Sequence, residues 1–162
     1  MYQLELTTSF SAAHALVIQG VREPLHGHDW HVTVFIEGKT LDHDGLLVDF
    51  HPIHHDLAEI IKPWHNQCLN DVAPFGQVNP SAEHVAREIA ERLSARLKSR
   101  EAERPNTHTP EAGAPNQGAD PGSGLPRVRV ARVRVTEAVG CAAAYTPPPP
   151  PAPPAPHTPT TA

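Results

Sequence analysis

Proline is placed so unevenly along this chain that it decides which residues can build a domain. Of nineteen prolines, nine fall within residues 146–162, five of them consecutive. Proline has no backbone N–H and a fixed φ, so such a run neither joins a sheet ladder nor continues a helix. Residues 146–162 therefore read as a disordered, Pro-rich tail. A second stretch, about residues 101–125, is rich in Gly, Pro and Asn and lacks periodic apolar residues. It reads as a disordered insertion, because nothing in it offsets the entropy of ordering. Residues 1–145 without that insertion leave about 120 residues, the size of one small domain.

The same sequence excludes several classes of protein. No apolar run approaches the roughly 18 residues of a membrane span. The opening residues, Met1-Tyr2-Gln3-Leu4-Glu5, lack the basic and apolar regions of a secretory leader. Two distant cysteines, Cys68 and Cys141, form neither a disulfide framework nor a CxxC pair. A net charge of −5 without a long basic run argues against a nucleic-acid partner. The expectation is a soluble cytoplasmic domain. Aromatics make up only 5% of the chain, so its small core predicts oligomerisation.

Residues 2–10 and 30–37 alternate and are rich in strand formers. The Leu-Asp-His-Asp-Gly turn before residues 46–50 predicts a third short extended piece. Ile53, Leu57, Ile60 and Ile61 share a helical face that ends near Pro63. Asn79-Pro80 reads as an N-cap followed by proline at the first helical position, opening a helix over 80–98. Residues 127–135 alternate Arg and Val with a slip at Ala131-Arg132, where a bulge would keep both valine pairs inward. A turn at Gly140 and a strand over 141–145 close the domain. This order suggests an α+β layer, an antiparallel sheet with helices on one face.

Twelve histidines outnumber the aspartates, and histidine is the commonest metal ligand. His26 and His28 flank Gly27, so in an extended segment both imidazoles project to one side. If the first two strands pair, His14 can join them, and three neutral imidazoles with one open position make a catalytic zinc site. His-x-His also arises by chance in a His-rich chain, so spacing alone leaves both readings open. His31 would face the other way, and the remaining histidines lack convergent spacing.

Six motifs then recur in one order. They are Phe10-Ser11-Ala12-Ala13-His14, Leu25-His26-Gly27-His28-Asp29-Trp30, Gly45-Leu46-Leu47-Val48-Asp49-Phe50, Leu69-Asn70-Asp71, Asn79-Pro80-Ser81-Ala82-Glu83 and Val135-Thr136-Glu137. Together they resemble the 6-pyruvoyl-tetrahydropterin synthase and 6-carboxy-tetrahydropterin synthase family over residues 2–100 and 127–145. The resemblance implies a tunnelling (T-) fold, with a four-stranded antiparallel sheet and two helices on one face. It also implies a trimer-based homo-oligomer, usually a hexamer, with active sites between subunits. By the same resemblance, His14, His26 and His28 are the ligands of Zn2+, and Glu137 anchors the pterin ring. Ser81 and Glu83 line the pterin pocket, although Glu83 also reads as an ordinary first-turn helix charge.

Two departures bear on the reaction. Family members usually carry a catalytic cysteine just before His-Gly-His, and this chain has none there. Glu23, three residues before His26, resembles the subgroup in which glutamate replaces that cysteine. That subgroup converts 7,8-dihydroneopterin triphosphate to 6-hydroxymethyl-7,8-dihydropterin for folate biosynthesis. The family's Asp-His relay is also altered, since the chain reads Trp64-His65-Asn66-Gln67-Cys68-Leu69. His65 is a candidate catalytic residue there, without its aspartate, beside a plain packing role. The resulting expectation is a zinc-dependent pterin lyase with Glu23 as base. The rivals are 6-carboxy-tetrahydropterin synthase (queuosine pathway), 6-pyruvoyl-tetrahydropterin synthase, and an inactive zinc-binding scaffold.

Overall fold

A computed structural model describes residues 1–103 and 127–149. The tail beyond 149 and most of the expected insertion lie outside the described residues. Strand β1 (Tyr2–His14) leads through a small hairpin, β2 (Val17–Ile18) and β3 (Val21–Arg22), into β4 (His26–Gly38). Helix α1 (Phe50–Ile61), β5 (Gln67–Cys68) and a 3-10 turn (Leu69–Asp71) follow. Helix α2 (Ala82–Glu103), β6 (Val128–Ala138) and β7 (Cys141–Tyr145) complete the order.

The sheet runs β5-β1-β4-β6-β7. Its four long members, β1, β4, β6 and β7, form the expected antiparallel sheet, and two-residue β5 adds a parallel edge. Both long strands exceed their apolar alternation. Residues 11–14 and 26–29 are small or polar, yet ladder hydrogen bonds need only backbone, so β1 and β4 continue until His14 lies opposite His26.

One sheet face is buried. Leu6, Phe10, Trp30, Val32, Val34, Ile36, Val133 and Val135 pack there against Ile53, Leu57, Ile60, Val85, Ile89 and Leu93 of the helices. Phe10 and Trp30, cross-strand partners, stack with centroids 5.9 Å apart. Trp30 Nε1 donates to Ala12 O at 3.2 Å, which satisfies the polar atom that burial would otherwise strand. The predicted bulge is present: Phe35 pairs with Arg132 and Ile36 with Val130, leaving Ala131 as the extra residue.

Two local readings change. Residues 46–50 form no strand. Asp42 Oδ1 accepts from Asp44 N and Leu46 N to hold a turn, and the Asp49 carboxylate caps α1 by accepting from His51 N at 2.9 Å. That cap draws Phe50 into the helix. Nor does Asn79 cap α2. The helix starts at Ala82, where Ser81 Oγ accepts from His84 N, and runs on through Glu103. The Asn79 amide instead bridges Val17 N and Val17 O at 2.9 and 2.8 Å.

Candidate metal centre

Beyond Trp30 the buried sheet face stops being apolar. The next positions in phase are His28 and His26 on β4, with His14 beside them at the end of β1. Imidazole centroids lie 4.6 Å apart for His14–His26, 5.3 Å for His14–His28 and 4.9 Å for His26–His28. Trp30 meets His14 edge-on at 4.9 Å and forms an apolar floor. The geometry thus brings together the three histidines singled out in the sequence.

Backbone carbonyls orient two of the rings. His14 Nδ1 lies 2.8 Å from Pro80 O, and His26 Nδ1 lies 2.8 Å from Pro24 O. A carbonyl only accepts, so Nδ1 is the donor and the neutral ring leaves Nε2 as a bare lone pair. His14 Nε2 and His28 Nε2 are both buried without a hydrogen-bond partner. Burial lowers the proton affinity of His28, Glu137 opposes that shift, and His14 and His26 reinforce it. An uncharged imidazole with a free lone pair is a ligand in its binding state.

Glu137 completes the group. It is the residue at a second bulge, between Thr136 and Ala138 of β6, in phase with the inward valines Val133 and Val135. Its Oε1 lies 3.3 Å from His14 Nε2 and 3.3 Å from His28 Nε2. The ligand atoms of His14, His26, His28 and Glu137 all fall within 4.8 Å of one another. Orphaned buried nitrogens facing a carboxylate fit a divalent cation, and an imidazole-rich set with one carboxylate suits zinc chemistry.

The other expected residues lie around this group in different ways. Glu23 sits at the base of the β2–β3 hairpin. Its backbone N donates to Leu16 O at 2.9 Å, and Oε2 accepts from Leu16 N at 3.4 Å. It immediately precedes Pro24, whose carbonyl orients His26. Ser81 follows Pro80, which holds His14, and serves as the cap of α2. Hydrogen bonds from its own backbone N–H and from the Ser81 hydroxyl hold the Glu83 carboxyl below its usual range. This is the first-turn helix charge that the sequence left open. His65 is not gathered with the histidine cluster. It is exposed at the sheet edge, where Nδ1 accepts from Ser11 N at 3.3 Å.

Sequence reasoning missed the carbonyls of Pro24 and Pro80, because a backbone acceptor leaves no residue-type signal. It also missed Asn70, whose amide takes Ala15 N and Ala15 O at 2.8 Å each, directly after His14.

An antiparallel sheet carrying two helices and a histidine cluster at the end of its buried face defines a fold shared with known pterin enzymes. The chain superimposes on 6-pyruvoyl tetrahydropterin synthase of Caenorhabditis elegans with a TM-score of 0.63 and 16% identity, over 91% of this chain and 96% of that one. A Plasmodium vivax 6-pyruvoyltetrahydropterin synthase whose catalytic glutamate is replaced by alanine gives a TM-score of 0.55 at 16% identity, over 90% and 98% of the two chains. In sequence, dihydroneopterin monophosphate aldolase of Pyrococcus furiosus is 33% identical over 89 residues, covering 55% of this chain and 72% of that protein. The profile of the 6-pyruvoyl tetrahydropterin synthase family matches residues 3–112. The chain belongs to this family, whose members are lyases of pterin metabolism.

Proposed function

We propose that the protein is a zinc-dependent lyase that converts 7,8-dihydroneopterin triphosphate to 6-hydroxymethyl-7,8-dihydropterin, a step of folate biosynthesis. The observation that carries this reading is the cluster of buried His14 and half-buried His26 and His28, with Glu23, rather than a cysteine, on the segment leading into it. Neither cysteine belongs to the cluster: Cys68 lies on β5 and exposed Cys141 on β7. One relative supports the reading by name, an aldolase of a dihydroneopterin phosphate.

Zinc held by the three imidazoles would act as a Lewis acid that makes side-chain hydroxyls easier to deprotonate. Every other task falls to the chain itself. Glu23 takes the proton of the second side-chain hydroxyl. The bond between the first two side-chain carbons then breaks, and its electron pair passes into the conjugated ring. The second carbon leaves as an aldehyde, and a returned proton converts the first to a hydroxymethyl group. The Glu137 carboxylate receives the ring's 2-amino and N3 hydrogens with its two oxygens. Ser81 and Glu83, at the start of α2, border the ring. His65, exposed on the edge of the sheet, serves the site of a neighbouring copy in a trimer-based homo-oligomer.

The test is product mass after incubation with 7,8-dihydroneopterin triphosphate. Release of 6-hydroxymethyl-7,8-dihydropterin supports the proposal. A 6-carboxy or 6-pyruvoyl product assigns a sibling reaction, and no product with zinc bound points to a scaffold. The name of the Pyrococcus relative favours a second substrate, the monophosphate, so both phosphates belong in the assay.

A further inference from the structure

The substrate proposed above ends in phosphate, and none of the residues placed so far receives that charge. Glu23, Glu83 and Glu137 are carboxylates, and the chain as a whole carries a net charge of −5. A phosphate beside them needs a cation to offset the repulsion. Most cations are already engaged. Arg92, Arg96, Arg100, Arg127 and Arg129 meet carboxylates, and Arg132 lies over the Phe35 ring. Among the described residues, the side chains of Arg22, Lys39, Arg87 and Lys98 have no hydrogen bond, ion pair or ring contact.

Position separates these four. Lys39 follows the far end of β4, about 40 Å of strand away from His26. Lys98 lies about 24 Å along α2 from the start of that helix. Arg87 lines a groove with residues 72–78 that contains none of the residues gathered at the site. Arg22 directly precedes Glu23.

The backbone fixes Arg22 relative to that glutamate. Gln19 (φ 50°) and Gly20 (φ 81°) both adopt the left-handed region, as a tight two-residue hairpin turn demands. Glutamine is uncommon there, so local strain is accepted to keep the turn short. The turn sets Arg22 opposite Val17, whose backbone N and O are both held by the Asn79 amide. One residue on, Glu23 N donates to Leu16 O at 2.9 Å. Arg22 and Glu23 are thus presented together, with Cα atoms about 3.8 Å apart.

The substrate has a matching order. The second carbon of its side chain bears the hydroxyl that Glu23 deprotonates, and the third bears the phosphate ester. Neighbouring carbons meet neighbouring residues. A guanidinium also offers paired N–H donors to two phosphate oxygens and keeps its charge at any working pH.

We propose that Arg22 binds the first phosphate of the substrate, the one esterified to the side chain, and makes a phosphate monoester the feature recognised. The inference rests on the functional reading above and deepens its substrate class. Arg22 is exposed, so further phosphates extend past it into solvent, and the mono- and triphosphate are held by one and the same contact.

The test is equilibrium binding to the zinc-loaded full chain, read by the fluorescence of the oxidised pterins neopterin, neopterin monophosphate and neopterin triphosphate as unreactive probes. Wild type should bind both phosphates alike and more tightly than neopterin. Arg22→Ala should weaken both phosphates by roughly 10–100-fold, the worth of a charged hydrogen-bond pair, with neopterin affinity retained. Arg22→Lys, which keeps the charge without the fork, should recover part of the loss. Zinc content and thermal melting establish that each variant is folded. Unchanged phosphate affinity in Arg22→Ala, or an equal loss for neopterin, overturns the proposal. A wild type that ignores phosphate, or one that prefers the triphosphate by more than the loss seen in Arg22→Ala, overturns it too. Binding needs no turnover, so a different lyase product, or none, removes the reaction assignment and leaves the role of Arg22 decided by these affinities.

Discussion

At the scale of single residues, the site is built from lone pairs aimed by backbone. His14 is buried, and its ring is fixed because Pro80 O accepts from Nδ1. Pro24 does the same for His26. Glu23 differs in kind, since its carboxylate has one long contact with Leu16 N and is otherwise available. Glu23→Ala is expected to lower kcat by about 10²–10⁴, the usual contribution of a general base, while zinc content stays at about one per chain. Steady-state kinetics with metal analysis checks this, and undiminished turnover would remove Glu23 from the chemistry. His14→Ala should instead lose the metal itself. The identity of these residues was legible from motif spacing, but the carbonyls that aim them were not.

Among elements, three connections hold the site together. The excursion between β1 and β4 is pinned on one side by Asn70 and Asn79, which hydrogen-bond the backbones of Ala15 and Val17. Glu23 meets the intervening Leu16 on the other side. Asn79→Ala removes two hydrogen bonds, a cost of about 1–3 kcal/mol, and should reduce kcat while metal remains bound. Faster amide exchange over residues 16–23 would show the loosened segment directly. The second connection joins the helices. Buried Asp56 of α1 accepts from Arg96 Nη1 at 3.0 Å and from Arg100 Nε and Nη2 at 2.7 and 2.8 Å. Hydrogen bonding from Arg100, then from Arg96, holds its carboxyl below the ordinary range despite burial. The folded form binds the proton less readily than the unfolded form. Its stabilisation is therefore complete above the unfolded carboxyl pKa of about 3.9 and declines as pH falls through the lower folded value. Asp56→Ala should cost roughly 1.5–3 kcal/mol at neutral pH, and the deficit should shrink in acid. Thermal melts at neutral and acid pH test this, and an equal deficit at both would contradict it. The third connection is the bulge pair on β6. Ala131 was visible as a slip in the Arg/Val alternation, whereas the bulge at Glu137 breaks no apolar pattern and stayed hidden.

For the whole molecule, the core consists of one buried sheet face and two helices, with Trp30, Trp64, Phe10 and Phe75 as its largest fully buried side chains. Among the described residues no helix is long and apolar enough to cross a membrane. The proposed homo-oligomer predicts a native mass several times that of one chain. Deleting residues 146–162 should leave that mass and the activity unchanged, as sedimentation and product assays would show. The sequence alone determined the layer class and the helical faces, because side-chain periodicity is a local property, and it marked the three histidines through the family motifs rather than through spacing. It did not set the true ends of β1 and β4, since a backbone ladder continues through residues that carry no hydrophobic signal. Nor could it show that Asn79 leaves its helix to hold Val17, sixty-two positions away. Only the tertiary structure decided that Glu137 faces the imidazoles, because strand pairing and one inserted residue determine where its carboxylate points.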